Sequence, residues 1–440
     1  MRKTVALSIA SLCAMTTVNA AEDLSSMFSE GKTSGQVRLF SIGRTVDTAT
    51  THYTREANAI GGHLKYETAD YKGLSFGAAF YTTNGFGLEN KTDATQVDPT
   101  LLGKDNESYS ILGELYAQYV LGNTTFKFGR QKLDTPLAGS DDARMLPNLF
   151  EAYLAINKDV KDTTIIAGHV TRFAQGTFGR AYGTGGHLGV TAGYSFVDAS
   201  NQTGTFVNMG DYAIGAKTDG VSVVSATYTG IEKLKLQLWD YYAWDILNAV
   251  YAQADFSWNC LLTDKVKPYA SAQLIKEDDV GDSLVGNVDA TYWAAKFGAK
   301  FGNANLYVAY SQNDSDTSSF GNGSIITPWG GMPAFTQGMV TRHMFLAGTD
   351  ATKVAGSYNW KDLGVNLSTA LYYTEFDMDR DNMYDNGTSW TAKEAGFDFI
   401  YYPEVVKNLQ VRLRGNFPTD FKKTGSVDWD EYRFIVNYNF

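Results

Sequence analysis

Bulky apolar and polar side chains alternate at every second position, in segment after segment, and this alternation limits what the chain can fold into more than any other feature. In the last segment Tyr432, Phe434, Val436, Tyr438 and Phe440 share one face, while Glu431, Arg433, Asn437 and Asn439 share the other with Ile435. A period of two belongs to a β-strand, whose successive side chains point to opposite faces. The pattern sets Leu409, Val411, Leu413 and Phe417 against Gln410, Arg412, Arg414 and Asn416, and Trp293, Ala295, Phe297 and Phe301 against Lys296 and Lys300. It recurs at 365–374, 109–119 and 60–67. Segments of about ten residues with this alternation, aromatic near their ends, predict a transmembrane β-barrel with an apolar outside and a wet inside. A soluble sandwich would alternate in the same way but turn its apolar face inward. Aromatics at so many strand ends fit membrane girdles better.

Connections and proline support the same class. Proline cannot donate to a sheet ladder, and the eight prolines fall in candidate loops or at strand ends, so most of the chain is free to be strand. Past residue 20 there is no run of eighteen apolar residues, which excludes a spanning helix. Short connections at 70–73, 121–123, 157–162, 302–305, 360–364 and 403–408 alternate with long polar ones near 84–107, 132–149, 174–210, 313–350 and 376–392. Outer-membrane barrels have this asymmetry, with short periplasmic turns and long extracellular loops. Nineteen candidate strands would leave the chain ends on opposite sides of the membrane. The weakest, 211–218, folds into the preceding loop, which predicts an all-β, antiparallel barrel of eighteen strands. Its first strand starts near Gly35, too early for a plug domain, and pairs with the last strand so that no sheet edge faces lipid.

Arg2 and Lys3, an apolar stretch from Val5 to Met15, and the small-residue pattern ending at Ala20 read as an export signal over 1–20, followed by a single barrel domain over 21–440. Leu12 is too large to precede a lipid-modified cysteine at Cys13. Only Cys260 then remains, so the fold holds without an internal disulfide. The formal charge of -11 becomes more negative without Arg2 and Lys3, and it argues against nucleic acid as a partner. The expected location is the outer membrane of a Gram-negative bacterium, in contact with its lipid. Phe440, closing the terminal strand, has the form of the recognition signal that barrel-assembly machinery reads.

The most specific local signal is "FGRQKLDTPLAGSDDARMLPNLFEAY" at 128–153. This stretch resembles the third extracellular loop of the OprD-type porins and of the related major porins of campylobacter-like bacteria, which carry a similar "GRQ…DTPL…SDDxRMLPxxFxGY" run. Ala152 departs from the more usual glycine. The resemblance implies an eighteen-stranded passive channel, often trimeric, whose loop at about 132–149 folds inward to narrow the pore. It places Asp134, Asp141, Asp142 and Arg144 at the constriction. Face parity independently offers a facing basic wall: Lys296, Lys300, Lys353, Arg412, Arg414 and Arg433 fall on inward faces, and Arg38 follows once the barrel closes. A file of cations in a narrow pore lowers the barrier to anions. The expectation is a porin for small hydrophilic solutes that favours carboxylates, without cofactor. The competing reading pairs these cations with Glu394, Asp398 and Glu431 and gives them no selective role. Residues 326–338, where Trp329, Met332 and Phe335 sit among glycines and prolines, fit equally a second inward loop and an extracellular loop packed on its neighbours.

Weaker constellations remain. Asp377, Asp379, Asp381 and Asp385 have the spacing of a Ca²⁺ loop, but Asn382 replaces its glycine and Thr388 its bidentate glutamate. The "GTGGHLG" at 183–189 lacks the strand before and helix after that a dinucleotide site requires. Of five histidines only His63 and His169 fall on predicted strands, with no serine nucleophile placed beside either, so no enzyme is expected. The alternative to a porin is an adhesin or structural barrel whose long loops act outside the cell.

Overall fold

In the computed structural model the described residues are 20–87 and 96–440, so all but the last residue of the export signal expected over 1–20, and part of the first long loop, lie outside them. Eighteen long antiparallel strands form one closed sheet. The first half comprises β1 (Lys32–Asp47), β2 (His52–Glu67), β3 (Leu74–Gly85), β4 (Tyr109–Leu121), β5 (Thr124–Gln131), β6 (Leu149–Asn157), β7 (Thr163–Ala174), β8 (Val221–Tyr228) and β9 (Leu234–Ala243). The second half comprises β10 (Leu247–Ser257), β11 (Val266–Asp279), β12 (Asp289–Phe301), β13 (Ala304–Asn313), β14 (Asp350–Asn359), β15 (Leu367–Met378), β16 (Trp390–Tyr401), β17 (Leu409–Thr419) and β18 (Asp428–Asn439). Each strand pairs with its chain neighbours, and β18 pairs with β1 from Gln36↔Asn439 to Asp47↔Asp428. Phe440 extends the seam, its N–H donating to the Gly35 carbonyl at 3.0 Å.

The doubtful segment 211–218 is no strand, as the sequence predicts. Val207–Asn208 make only a two-residue ladder beside β7, and Met209–Ile214 form a short helix capped by the Asn208 side chain. Strand β7 pairs directly with β8. Another short helix, Gly186–Thr191, occupies the "GTGGHLG" stretch, where the sequence reading placed no helix; with six residues and no preceding strand it makes no dinucleotide fold.

The outer face carries the apolar row: Tyr432, Phe434, Tyr438, Trp293, Phe297, Leu371 and Leu413 are all exposed, as a lipid-facing wall requires. The inner face departs from the expected wet lumen over β9–β12. Trp239, Tyr241, Tyr251 and Tyr292 point inward and are buried, because the loops 132–148, 175–220 and 314–349 fold over them. Phe150, Phe173, Tyr212, Trp329 and Phe345 complete a single apolar cluster inside the barrel.

Candidate functional site: the charged lumen

Loop 132–148 reaches both sides of the wall. Asp142 pairs with Arg38 on β1 at 2.7 Å, and the Leu137 N–H donates to the Tyr241 hydroxyl on β9 at 3.4 Å. In a ring of eighteen strands β1 and β9 lie roughly opposite, so a loop touching both crosses the lumen. It is pinned to the second inserted loop, where the Gly139 N–H donates to the Trp329 carbonyl at 2.9 Å. Gly330, with φ +78°, is required there, since a Cβ would stand 2.4 Å from the Gly139 oxygen. Thr327 and Gly330 in turn donate to the carbonyls of Val190 and Gly193, so residues 326–338 sit among the inserted loops.

The four sequence-predicted constriction residues separate into different roles. Asp142 remains 32% exposed beside Lys132 (35%), at 3.6 Å. Burial pushes its carboxyl up, but Arg38 and Lys132 outweigh that and hold it well below the usual carboxylate range. Asp141 accepts from Arg342 at 2.8 Å and from the Tyr194 hydroxyl at 2.7 Å, which joins the two inserted loops. Burial opposes the Arg342 charge, Asp141 more than offsets it, and the guanidinium stays raised. Asp134 accepts from the Ser140 N–H at 3.0 Å and shapes the loop itself. Arg144 is fully buried and donates to Glu431 at 2.9 Å and to the Thr100 hydroxyl at 3.0 Å, so it anchors the loop to the wall.

The basic file divides into two regions. On the β16–β1 wall every arginine has an acceptor. Glu431 holds Arg44 at 2.7 Å, Arg144 and Arg433 (2.5 Å), and Arg433 also donates to Asn416. Asp398 takes Arg412 through two contacts, one of 2.7 Å, and Arg414 at 3.4 Å. Arg38 adds Asn437 (3.0 Å) and the Arg144 carbonyl to its Asp142 pair. The lysines differ. Lys296 lies 4.0 Å over the Phe335 ring, Lys353 donates to the Gln337 carbonyl and sits 4.7 Å over Tyr372, and Lys300 lies 5.9 Å from Tyr269. Among the described residues none of the three makes an ion pair with a carboxylate. Pairing with Asp398 and Glu431 therefore holds for Arg412, Arg414 and Arg433, whereas Arg38 takes Asp142 and the three lysines take no carboxylate.

Glu394, expected as a cation's partner, instead accepts from the backbone N–H groups of Met339 (2.5 Å), Val340 (3.2 Å) and Thr341 (2.6 Å), from the Thr341 hydroxyl (2.7 Å) and from Tyr372. It clamps the second loop, a role with no signal in the sequence. Lys235 and Lys267 also line the lumen beside Lys296 and Lys353, around a cavity of about 1150 Å³. Their parity opposite the exposed Leu236, Leu238 and Leu274 would have found them.

The four aspartates with Ca²⁺-loop spacing do not converge. Asp377 accepts from the Thr391 hydroxyl, Asp379 from the Asp381 N–H, and Asp385 from the Thr424 N–H and hydroxyl. Among the described residues no three metal-ligating side chains gather. The carboxylates of Asp377, Asp379 and Asp385 are each engaged by a different partner, only Asp379 by its own turn.

A family model described as outer membrane porin, OprD family, matches residues 28–440. The fold is similar to that of OccK9 (OpdG) from Pseudomonas aeruginosa, with a TM-score of 0.77 and 19% identity over 94% of this chain and 99% of that one. It is also similar to Pseudomonas aeruginosa OpdK with vanillate (TM-score 0.74, 16% identity, 94% and 99% covered). A third similar structure is Pseudomonas aeruginosa OccK2 (OpdF) in complex with glucuronate (0.71, 16%, 94% and 97%). No curated protein sequence matches.

Proposed function

Because this chain belongs to the OprD family of outer-membrane porins, we propose that it passes small hydrophilic solutes by passive diffusion and favours those that carry a carboxylate. The observation that carries the preference is the set of lumen-facing lysines, Lys296, Lys300 and Lys353, left without carboxylate partners in a chain whose formal charge is -11. A cation already neutralised by a fixed carboxylate offers little to a passing anion. An unpaired lysine on a low-dielectric wall attracts one and releases it to the next. Asp142 and Lys132, the most exposed charges of the first inserted loop's own contacts, set opposite signs side by side at the narrowing. The vanillate held by OpdK and the glucuronate held by OccK2 are both carboxylates, which supports the same class here. The reading also takes Phe440 as the assembly signal and a homotrimer as the assembled form, on family membership alone.

Reconstitution in a planar bilayer under a salt gradient tests it. Open steps with an anion-selective reversal potential are expected. Cation selectivity would hand control to Asp142 and sink the carboxylate preference, and silence from a folded barrel would favour an adhesin.

A further inference from the structure

We propose that the half of the lumen nearer the short turns holds a binding site for solutes with two or more negative charges, built from Lys235, Lys267, Lys296, Lys300 and Lys353. The inference rests on the anion-passing reading above and narrows it to a charge class.

Strand register places these residues. Across neighbouring strands Lys235 faces Asp255, Asp255 faces Ser271, Ser271 faces Lys296, Lys296 faces Ala309 and Ala309 faces Lys353. All point into the lumen, so three lysines and one aspartate form a row around the wall. Four residues along from Lys296, nearer the strand end, Lys267 faces Lys300 directly. Opposed residues stand about 5 Å apart at Cα, and like charges so placed are destabilising. Asp255 stands within the row, yet none of the five lysines makes an ion pair with a carboxylate among the described residues. Asp255, the acid within the row, is engaged by the Ser271 hydroxyl and the Gln253 amide, each at 2.7 Å. The five lysines and Asp255 line the same cavity of about 1150 Å³, open enough for a hydrated solute.

The residue type also carries information. A guanidinium fork suits one planar carboxylate held bidentately, and Arg412 is used that way on Asp398. An ammonium is a rotatable point charge that accepts anions of varied geometry. Lys296 and Lys353 lie two strands apart, roughly 10 Å at the usual inter-strand spacing, within joint reach of one ligand bearing separated charges. Dicarboxylates and phosphate esters share that chemistry.

The test is current block in a planar bilayer by pyrophosphate, succinate and acetate, each added to one side and then the other. Pyrophosphate and succinate are expected to block at concentrations at least tenfold below acetate, more strongly from the side of the short turns. Lys267→Gln with Lys300→Gln is expected to weaken that block about tenfold while open steps persist, which shows that the barrel still folds. Block by pyrophosphate alone would support the site and assign it to phosphates; block by succinate alone would support it and assign it to dicarboxylates. Equal block by acetate, or block unchanged by the double substitution, overturns the site. In that case an anion-selective reversal potential leaves the broader porin reading standing, whereas cation selectivity removes that reading itself.

Discussion

The lumen has two basic walls, and they use cations in opposite ways. On β16–β1 the arginines converge on buried carboxylates: Glu431 alone engages Arg44, Arg144 and Arg433, and Arg144 belongs to the first inserted loop. That wall is a clamp. On β9–β14 the lysines make no ion pair with a carboxylate and line open space, and the loop over them is held chiefly by neutral contacts and by Glu394, Lys353 adding one bond to the Gln337 carbonyl. The difference separates holding a constriction in place from attracting what passes through it. A cation on an inward face is therefore no evidence of selectivity until its partners are known.

If the first wall is structural, removing its carboxylate has the largest effect. Glu431→Ala would leave three guanidinium groups around a vacated buried acceptor, and breaking a buried pair costs about 3–5 kcal/mol. The expected result is loss of the heat-modifiable folded band, or a large drop in its urea midpoint. Glu394→Ala comes next. It strands the backbone donors of Val340 and Thr341 in the second loop, at about 3 kcal/mol from unsatisfied buried donors. Because Arg342 on that loop holds Asp141 on the first, the variant is also expected to show larger, noisier single-channel steps. A quiet channel of unchanged conductance would mean the loop is fixed without the clamp.

How far the sequence reaches follows from the same contrast. Strand faces and the seam at Phe440 are legible because periodicity is local; the inward course of the loop at about 132–149 comes only with the family resemblance, and 326–338 is equally compatible with a loop packed outside. The arginine clamp is not, since Arg144 and Glu431 are 287 positions apart and meet only through barrel closure. Nor is the aromatic lumen of Trp239, Tyr241 and Tyr251, because a rule of apolar outside and polar inside assumes water in the pore, and the inserted loops displace it. The aspartates at 377–385 show the converse: spacing along a chain does not by itself make side chains converge. Lys235 and Lys267 were accessible by parity alone.

Asp142 lies between the walls in character, paired with Arg38 yet 32% exposed. Asp142→Asn is expected to cost about 1 kcal/mol, the discount reflecting solvent screening, and to raise anion preference by freeing Arg38 and Lys132. With its carboxyl held below the usual range, the stability it contributes is complete above the unfolded aspartate pKa of about 3.9 and is lost only as pH falls through its lower folded value. Its share of the reversal potential should thus stay flat between about pH 7 and pH 5. A shift within that window, absent in Asp142→Asn, would show that the carboxyl titrates in the ordinary range and that Arg38 does not hold it.

The smallest expected effect on stability falls on the lysine wall, and it is the sharpest test of the contrast. Lys296→Gln with Lys300→Gln removes two charges that make no ion pair. Lys300 opposes Lys267 across the ladder, so the repulsion disappears with it. The urea midpoint should stay the same or rise slightly, within about 0.5 kcal/mol. The reversal potential should move toward zero. Arg433→Gln should do the reverse, because Arg433 is engaged by Glu431 and Asn416: a clear loss of stability and, in whatever folds, little change of selectivity. If the lysine variant unfolds, or the arginine variant alone resets selectivity, the division of labour between the two walls is wrong, since each outcome would require a cation to be both bound within the fold and available to the solute.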